Sequence, residues 1–152
     1  MAYEHFAEIG FGVLLGALLT FIATHLQNKI TKQEERTSKL RALLAEMKDN
    51  KASVDVGVML GNAKQRLAYG MWEEGRSEIF QLPDDLCEKL RQVYHKIAQY
   101  NGIVEYDLAI VTGMGVGQGT FSTLLDLKVG EIKASLVSAI LELDDYLKKR
   151  AQ

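Results

Sequence analysis

From Ile9 to Asn28 the chain reads IGFGVLLGALLTFIATHLQN, twenty residues without a formal charge. A helix of that length rises about 30 Å, the thickness of a bilayer's hydrocarbon core. His25 and Gln27 fall in its last turn, at headgroup level, and Tyr3 and Phe6 are interfacial aromatics at the other end. A cleaved signal peptide is the competing reading. It needs a basic leading segment, whereas residues 1–28 hold no Lys or Arg and two acids, Glu4 and Glu8. Ala23-Thr24-His25 is also a poor cleavage site. A buried soluble helix is the plain alternative. Polar character starts only at Gln27 and then turns strongly basic, which favours a transmembrane anchor.

Orientation follows from the basic flank. Lys29, Lys32, Arg36, Lys39 and Arg41 follow the span, and no basic side chain precedes it. The expectation is an inner (plasma) membrane protein with its N-terminus outside and residues 29–152 in the cytoplasm. The single Cys, Cys87, agrees with a reducing compartment. Lys29, Lys32 and Arg36 are expected to face anionic lipid headgroups, at about 1 kcal/mol each near the surface. With Glu34 and Glu35 interleaved, a solvated helix face accounts for them as well.

Gly12, Gly16, Thr20 and Thr24 recur at every fourth residue and place one small-residue stripe along the span. Gly12-xxx-Gly16 is the spacing that lets two membrane helices approach closely. The expected partner is another membrane protein or a second copy of this chain. The alternative is a monomeric anchor whose glycines face lipid.

Beyond the anchor (1–28), residues 29–152 read as one helical domain. The chain is 47% apolar and 25% charged, which excludes a disordered chain. One Cys excludes a disulfide framework or a Cys-rich zinc fold. One Pro and little alternating hydrophobicity argue against a sandwich or barrel. Leu40, Leu44, Met47, Val54 and Val58 step at three, four and seven, so the membrane helix is expected to continue to about Leu60. A short helix over 63–74 fits Leu67, Met71 and Trp72, with Gly75 as its stop. Pro83 suits a first helical position ahead of Asp84 and Asp85. From there Leu86, Leu90, Val93, Ile97, Tyr100, Val104 and Val111 predict a helix over 83–112. Leu125, Ile132, Leu136, Ile140, Leu143 and Leu147 predict another over 120–150, ending in Lys148, Lys149 and Arg150. The predicted fold class is all-α: a transmembrane helix continuing into a cytoplasmic antiparallel helical bundle.

Three stretches carry a resemblance: Leu40-Arg-Ala-Leu-Leu-Ala-Glu46-Met-Lys-Asp-Asn50, Leu82-Pro-Asp-Asp-Leu86 after a Trp, and Val93-Tyr94 through Tyr100-Asn101. They resemble a group of small prokaryotic single-pass membrane proteins with a cytoplasmic helical domain. The resemblance covers about 38–50 and 72–101. It implies the same architecture and carries over no activity and no catalytic residue.

The glycine tract at 113–119 fails as a nucleotide site. A dinucleotide fingerprint started at Gly113 and Gly115 puts Gln118 in its third glycine position; started at Gly115 and Gly117 it puts Thr120 there. No Lys lies between residues 97 and 127 to complete a P-loop. The tract reads as a connection between antiparallel helices, and Gly113, Gly115, Gly117 and Gly119 are candidate contacts for an anion or partner segment. His5, His25 and His95 are scattered, with no Glu-x-x-His or His-Glu-x-x-His spacing. No catalytic, cofactor or metal residue is assigned. A net charge of −2 supplies no global basic field, and the basic run 29–51 lacks interleaved aromatics, so nucleic acid is not an expected partner. The expectation is a non-enzymatic membrane-anchored interaction protein: an adaptor, a regulator or a small subunit of a membrane assembly. Alternatives are a self-oligomerising pore-forming effector and an enzyme or ligand-binding protein using 113–119.

Overall fold

The structure, a computed structural model, describes the backbone of residues 2–60, 65–114 and 120–151, and the side chains of 12–57, 65–108 and 124–150. Among these residues every regular element is a helix: α1 (Ala2–Leu60), α2 (Gly70–Glu74), α3 (Arg76–Ile79), α4 (Asp84–Met114) and α5 (Thr120–Ala151). The chain divides into two compact units, Met1–Thr37 and Ser38–Gln152.

In the first unit, α1 is apolar and exposed, and it is long and apolar enough to cross a membrane. None of its most apolar window is buried within the chain. Val13, Leu14, Phe21 and Ile22 all stand open. Thr20 donates to the Gly16 carbonyl at 2.8 Å, which satisfies its hydroxyl without any partner beyond its own helix.

In the second unit, α1 from Leu40 onward, α4 and α5 share one core. The predicted stripes supply most of it. Leu40, Leu44, Met47 and Val54 are buried on α1, Leu86 through Val104 on α4, and Leu125, Ile132, Leu136, Leu143 and Leu147 on α5. Leu43, Tyr94, Val129 and Ala139 join them, and Ile140 is half-buried. Val58 and Val111 lie outside the described side chains. Packing of such faces, more than propensity, is what holds helices of this kind.

Polar ties fix the directions. Lys89 binds Glu142, and Lys96 donates to Ser135 at 2.6 Å, so α4 and α5 run in opposite senses. Lys48 meets Asp144 at 3.7 Å and Lys133 meets Asp55 at 2.6 Å, so α1 and α5 also run in opposite senses. Within this unit α1 and α4 therefore point the same way. The segment between them makes that possible by returning along both.

That segment corrects the expected helix over 63–74. Residues 63 and 64 lie outside the described residues; of the rest, 65–69 are not helical and Gly70–Glu74 is. The physical reason is competition: Asn50 and Asn101 take the backbone donors and acceptors that a helix there would use internally. Gly75 does stop α2. Its N–H bonds to the Met71 carbonyl at 2.9 Å, and a Cβ at Gly75 would lie 2.9 Å from that same oxygen. The short α3 follows, where no apolar period extends far enough to predict a helix. Pro83 stands just before α4, not in its first position, and its carbonyl accepts from Cys87 N–H at 2.9 Å. Asp84 and Asp85 occupy the first turn of α4, and Lys148, Lys149 and Arg150 the last turn of α5.

Candidate functional site

The most elaborate polar arrangement in the second unit surrounds the returning segment. Asn50, on α1, accepts from Ala68 N–H at 2.7 Å and donates to the Ala68 carbonyl at 2.8 Å. Asn101, on α4, does the same for Leu67, at 2.8 and 2.9 Å. Each amide side chain thus mimics a neighbouring strand. Asn50 is 2% exposed and Asn101 8%, so both amides need these partners.

One turn before Asn50, Glu46 ties three elements together. Its Oε2 accepts from Met71 N–H at 2.9 Å and its Oε1 from the Tyr94 hydroxyl at 2.8 Å. Trp72 stacks on Tyr94 with ring centroids 4.8 Å apart, and Tyr69 meets the same ring edge-on at 5.7 Å. Burial pushes the Tyr94 hydroxyl far above the ordinary phenol range, and its hydrogen bond to Glu46 pushes the same way. Leu67 and Trp72 insert their side chains into the core on either side of this knot. Both Glu46 oxygens accept hydrogen bonds, one from the backbone of α2 and one from α4, so this carboxylate ties the two to α1.

Glu46, Asn50, Tyr94 and Asn101 belong to the stretches that carry the resemblance, and here they meet on one segment. Sequence reading missed the meeting because nothing in helical periodicity pairs Asn50 with Asn101. Their sequence signal is an Asn at a core-facing position of each stripe.

The other expected positions are dispersed. Gly12, Gly16, Thr20 and Thr24 are exposed in the first unit, and nothing lies within 4 Å of a Cβ built on either glycine. Lys29 and Lys32 are exposed and Arg36 is half-buried. Gly113 falls in the last turn of α4, while Gly115, Gly117 and Gly119 lie outside the described residues. Cys87 is half-buried against the core. His25 stacks on Phe21, and His95 sits 2.9 Å from Gln99. Among the described residues no three His, Cys, Asp or Glu side chains are grouped to hold a metal.

Hollows among the described residues include an open groove lined by Lys89, Gln92, Val93, Ala134 and Ser135, and two more. One, of about 10 Å³, is lined by Val54, Gln65, Leu67 and Tyr100, and is too small for an organic ligand. The other is an open groove along α4 and α5 lined by Gln99, Gly102, Ile103, Tyr106 and Lys128. Comparison with protein-family models, curated proteins and solved structures finds no match for the chain.

Proposed function

We propose that the protein is a membrane-anchored helical interaction protein, with its N-terminal helix as the anchor and residues 38–152 as a cytoplasmic bundle that works through protein contacts. The observation that carries this reading is the exposed apolar stretch of α1. Val13 is 68% exposed, Leu14 71% and Phe21 70%, and water does not tolerate a contiguous apolar surface of this size on a monomer. Lipid is the solvent that suits it.

Lys29, Lys32, Arg36, Lys39 and Arg41 support the orientation, with the second unit on the cytoplasmic side. Lys39 meets Glu78 at 2.7 Å, so its charge is partly spent inside the second unit, whereas Lys29 and Lys32 are exposed and suited to anionic headgroups. The interaction reading is supported by how the polar groups around the returning segment are used. Asn50, Asn101 and Glu46 are all committed to holding the fold, which leaves recognition to outward-facing surfaces.

The test is extraction and topology in one fusion. A reporter attached after Gln152 is expected to stay with the membrane through alkaline carbonate and to be active only when it is cytoplasmic. Release by carbonate overturns the anchor. Activity on the outer side overturns the orientation.

A further inference from the structure

We infer that the hollow between α4 and α5 beside Gln92 and Ser138 is an anion site that takes a tetrahedral oxyanion: phosphate, or the phosphoryl group of a small phosphomonoester. The inference goes beyond the proposed function and does not depend on the anchor. Lys89 and Lys96 stand seven residues apart on α4, about 10.5 Å along the helix, and both reach across to α5. Lys89 meets Glu142, and Lys96 donates to Ser135 at 2.6 Å. Beside and between these two crossings α5 places Ala134, Ser135 and Ser138, all small, against Gln92 and Val93 of α4. A hollow of about 300 Å³ opens there. That is the lower end of the size range of small-molecule sites.

The charges point to the occupant. Lys96 is half-buried, and among the described residues its ammonium meets no carboxylate; its hydrogen bond goes to a neutral hydroxyl. A half-buried cation without a counter-charge is costly until an anion joins it. An ammonium carries three N–H donors, and the bond to Ser135 takes one. Ser135 spends its own proton on the Glu131 carbonyl, at 2.9 Å, so it holds Lys96 in place as an acceptor. Ser138 lines the hollow with a hydroxyl that has no partner among the described residues. Gln92 donates to Glu88 at 2.8 Å and keeps a second amide N–H.

The acids nearby are largely spent. Glu88 is held by Arg91 through both oxygens, and Glu131 by Lys128. Glu142 is the counter-charge of Lys89. Lys89 and Lys96 against Glu142 leave one net positive charge at the hollow. An incoming oxyanion accepts from Lys96 and Ser138 and competes with Glu142 for Lys89, through charge-assisted bonds that are about twice as strong as neutral ones. Val93 and Ala134 supply apolar contact for a small organic body attached to the phosphoryl group.

The test uses the full chain in maltoside micelles, titrated with sodium phosphate while sodium chloride holds the ionic strength constant. The readout is the backbone amide resonances of Gln92, Ser135 and Ser138. Saturable shifts at millimolar phosphate are expected, with none from chloride alone. Lys96→Gln is expected to weaken phosphate about tenfold, by loss of its charge-assisted bond. Glu142→Gln, which removes the competing carboxylate, is expected to tighten it about threefold. Lys128→Gln, on α5 outside the hollow, controls for general charge and is expected to change affinity by less than about twofold. Circular dichroism checks the fold of each variant; if Lys96→Gln loses helix, Glu142→Gln decides alone. Glycerol phosphate then separates the two sources. Tighter binding than phosphate assigns the hollow to a phosphomonoester, and weaker binding to the free ion. Shifts that chloride reproduces, shifts that do not saturate, a Lys96→Gln variant no weaker than Lys128→Gln, or a Glu142→Gln variant that binds no more tightly than wild type overturns the inference.

Discussion

Asn50 and Asn101 stand on different helices and close on adjacent residues of one segment, each giving and taking a hydrogen bond with the backbone of Ala68 or Leu67. The pair replaces the β-ladder that an extended segment normally needs. It does so with side chains that α1 and α4 present at the same level.

Replacing Asn101 by Leu keeps the volume and removes both bonds. The Leu67 N–H and carbonyl are then left buried and unsatisfied, at about 1–3 kcal/mol each when no water replaces the lost partner. The expected loss is therefore about 2–6 kcal/mol for Asn101→Leu. Asn50→Leu is expected to lose less, because Ala68 is exposed and water can reach its backbone. Equal melting temperatures for the two variants and the wild-type chain in detergent would contradict the role given to the clasp.

The Tyr94 ring and its hydroxyl contribute separately. Tyr94→Phe keeps the stack on Trp72 and is expected to cost about 1 kcal/mol for the bond to Glu46. Trp72→Ala leaves a cavity and is expected to cost about 3–5 kcal/mol. Chemical denaturation of both variants checks the ranking.

Alkali is expected to act through the same tyrosine. Its hydroxyl is held above the unfolded value of 10.0 by burial and by Glu46. Above that pH the unfolded chain loses a proton that the folded chain keeps, so stability is full below the unfolded value and falls as pH rises past it. The phenolate absorbance of Tyr94 is expected to appear together with unfolding. A separate earlier titration of this residue would mean that the ring is accessible to water.

Acid works in the opposite sense at Asp55. Hydrogen bonds from Lys133 and then Lys51 hold its carboxyl below the usual aspartate range. Its contribution is present above the unfolded value and lost as pH falls through the folded one. Asp55→Asn is expected to flatten the acid side of the stability profile in that window and leave neutral-pH secondary structure unchanged. An unaltered acid limb would show that the link between α1 and α5 at Lys133 adds nothing.

Gly12 and Gly16 offer an independent check on the anchor's surface. Replacing both by Ile leaves the helix apolar, so insertion is expected to survive. If that face packs on another membrane helix, association falls by about 1–2 kcal/mol, the usual scale for such contacts. An inserted double variant with unchanged partner recovery makes the anchor passive and leaves recognition to residues 38–152.

Much of the helical plan was legible because each long helix buries a stripe at regular spacing. Leu86, Leu90, Val93 and Ile97 repeat at four, three and four, and all four are buried. The segment over 63–74 misled for a definite reason. Leu67, Met71 and Trp72 have helical spacing, but the competition for its backbone comes from residues 18 and 34 positions away. No local pattern carries that information. Tyr94 escapes the periodic pattern because Val93 alone satisfies the stripe. On the glycine tract, the described residues include Gly113 in α4 and none of the later glycines.

The shared direction of α1 and α4 has a consequence for how the protein is made. These two helices and the segment between them present one side of a core whose other side is α5, the last of the helices to be synthesised. Leu40, Leu90 and Ile97 therefore wait for a cover that does not yet exist. At ~5–20 residues per second, the 32 residues of α5 take about 2–6 s to add. For that interval the nascent chain shows an open apolar trough to its surroundings, so the vulnerable moment in the life of this protein comes before the core has closed.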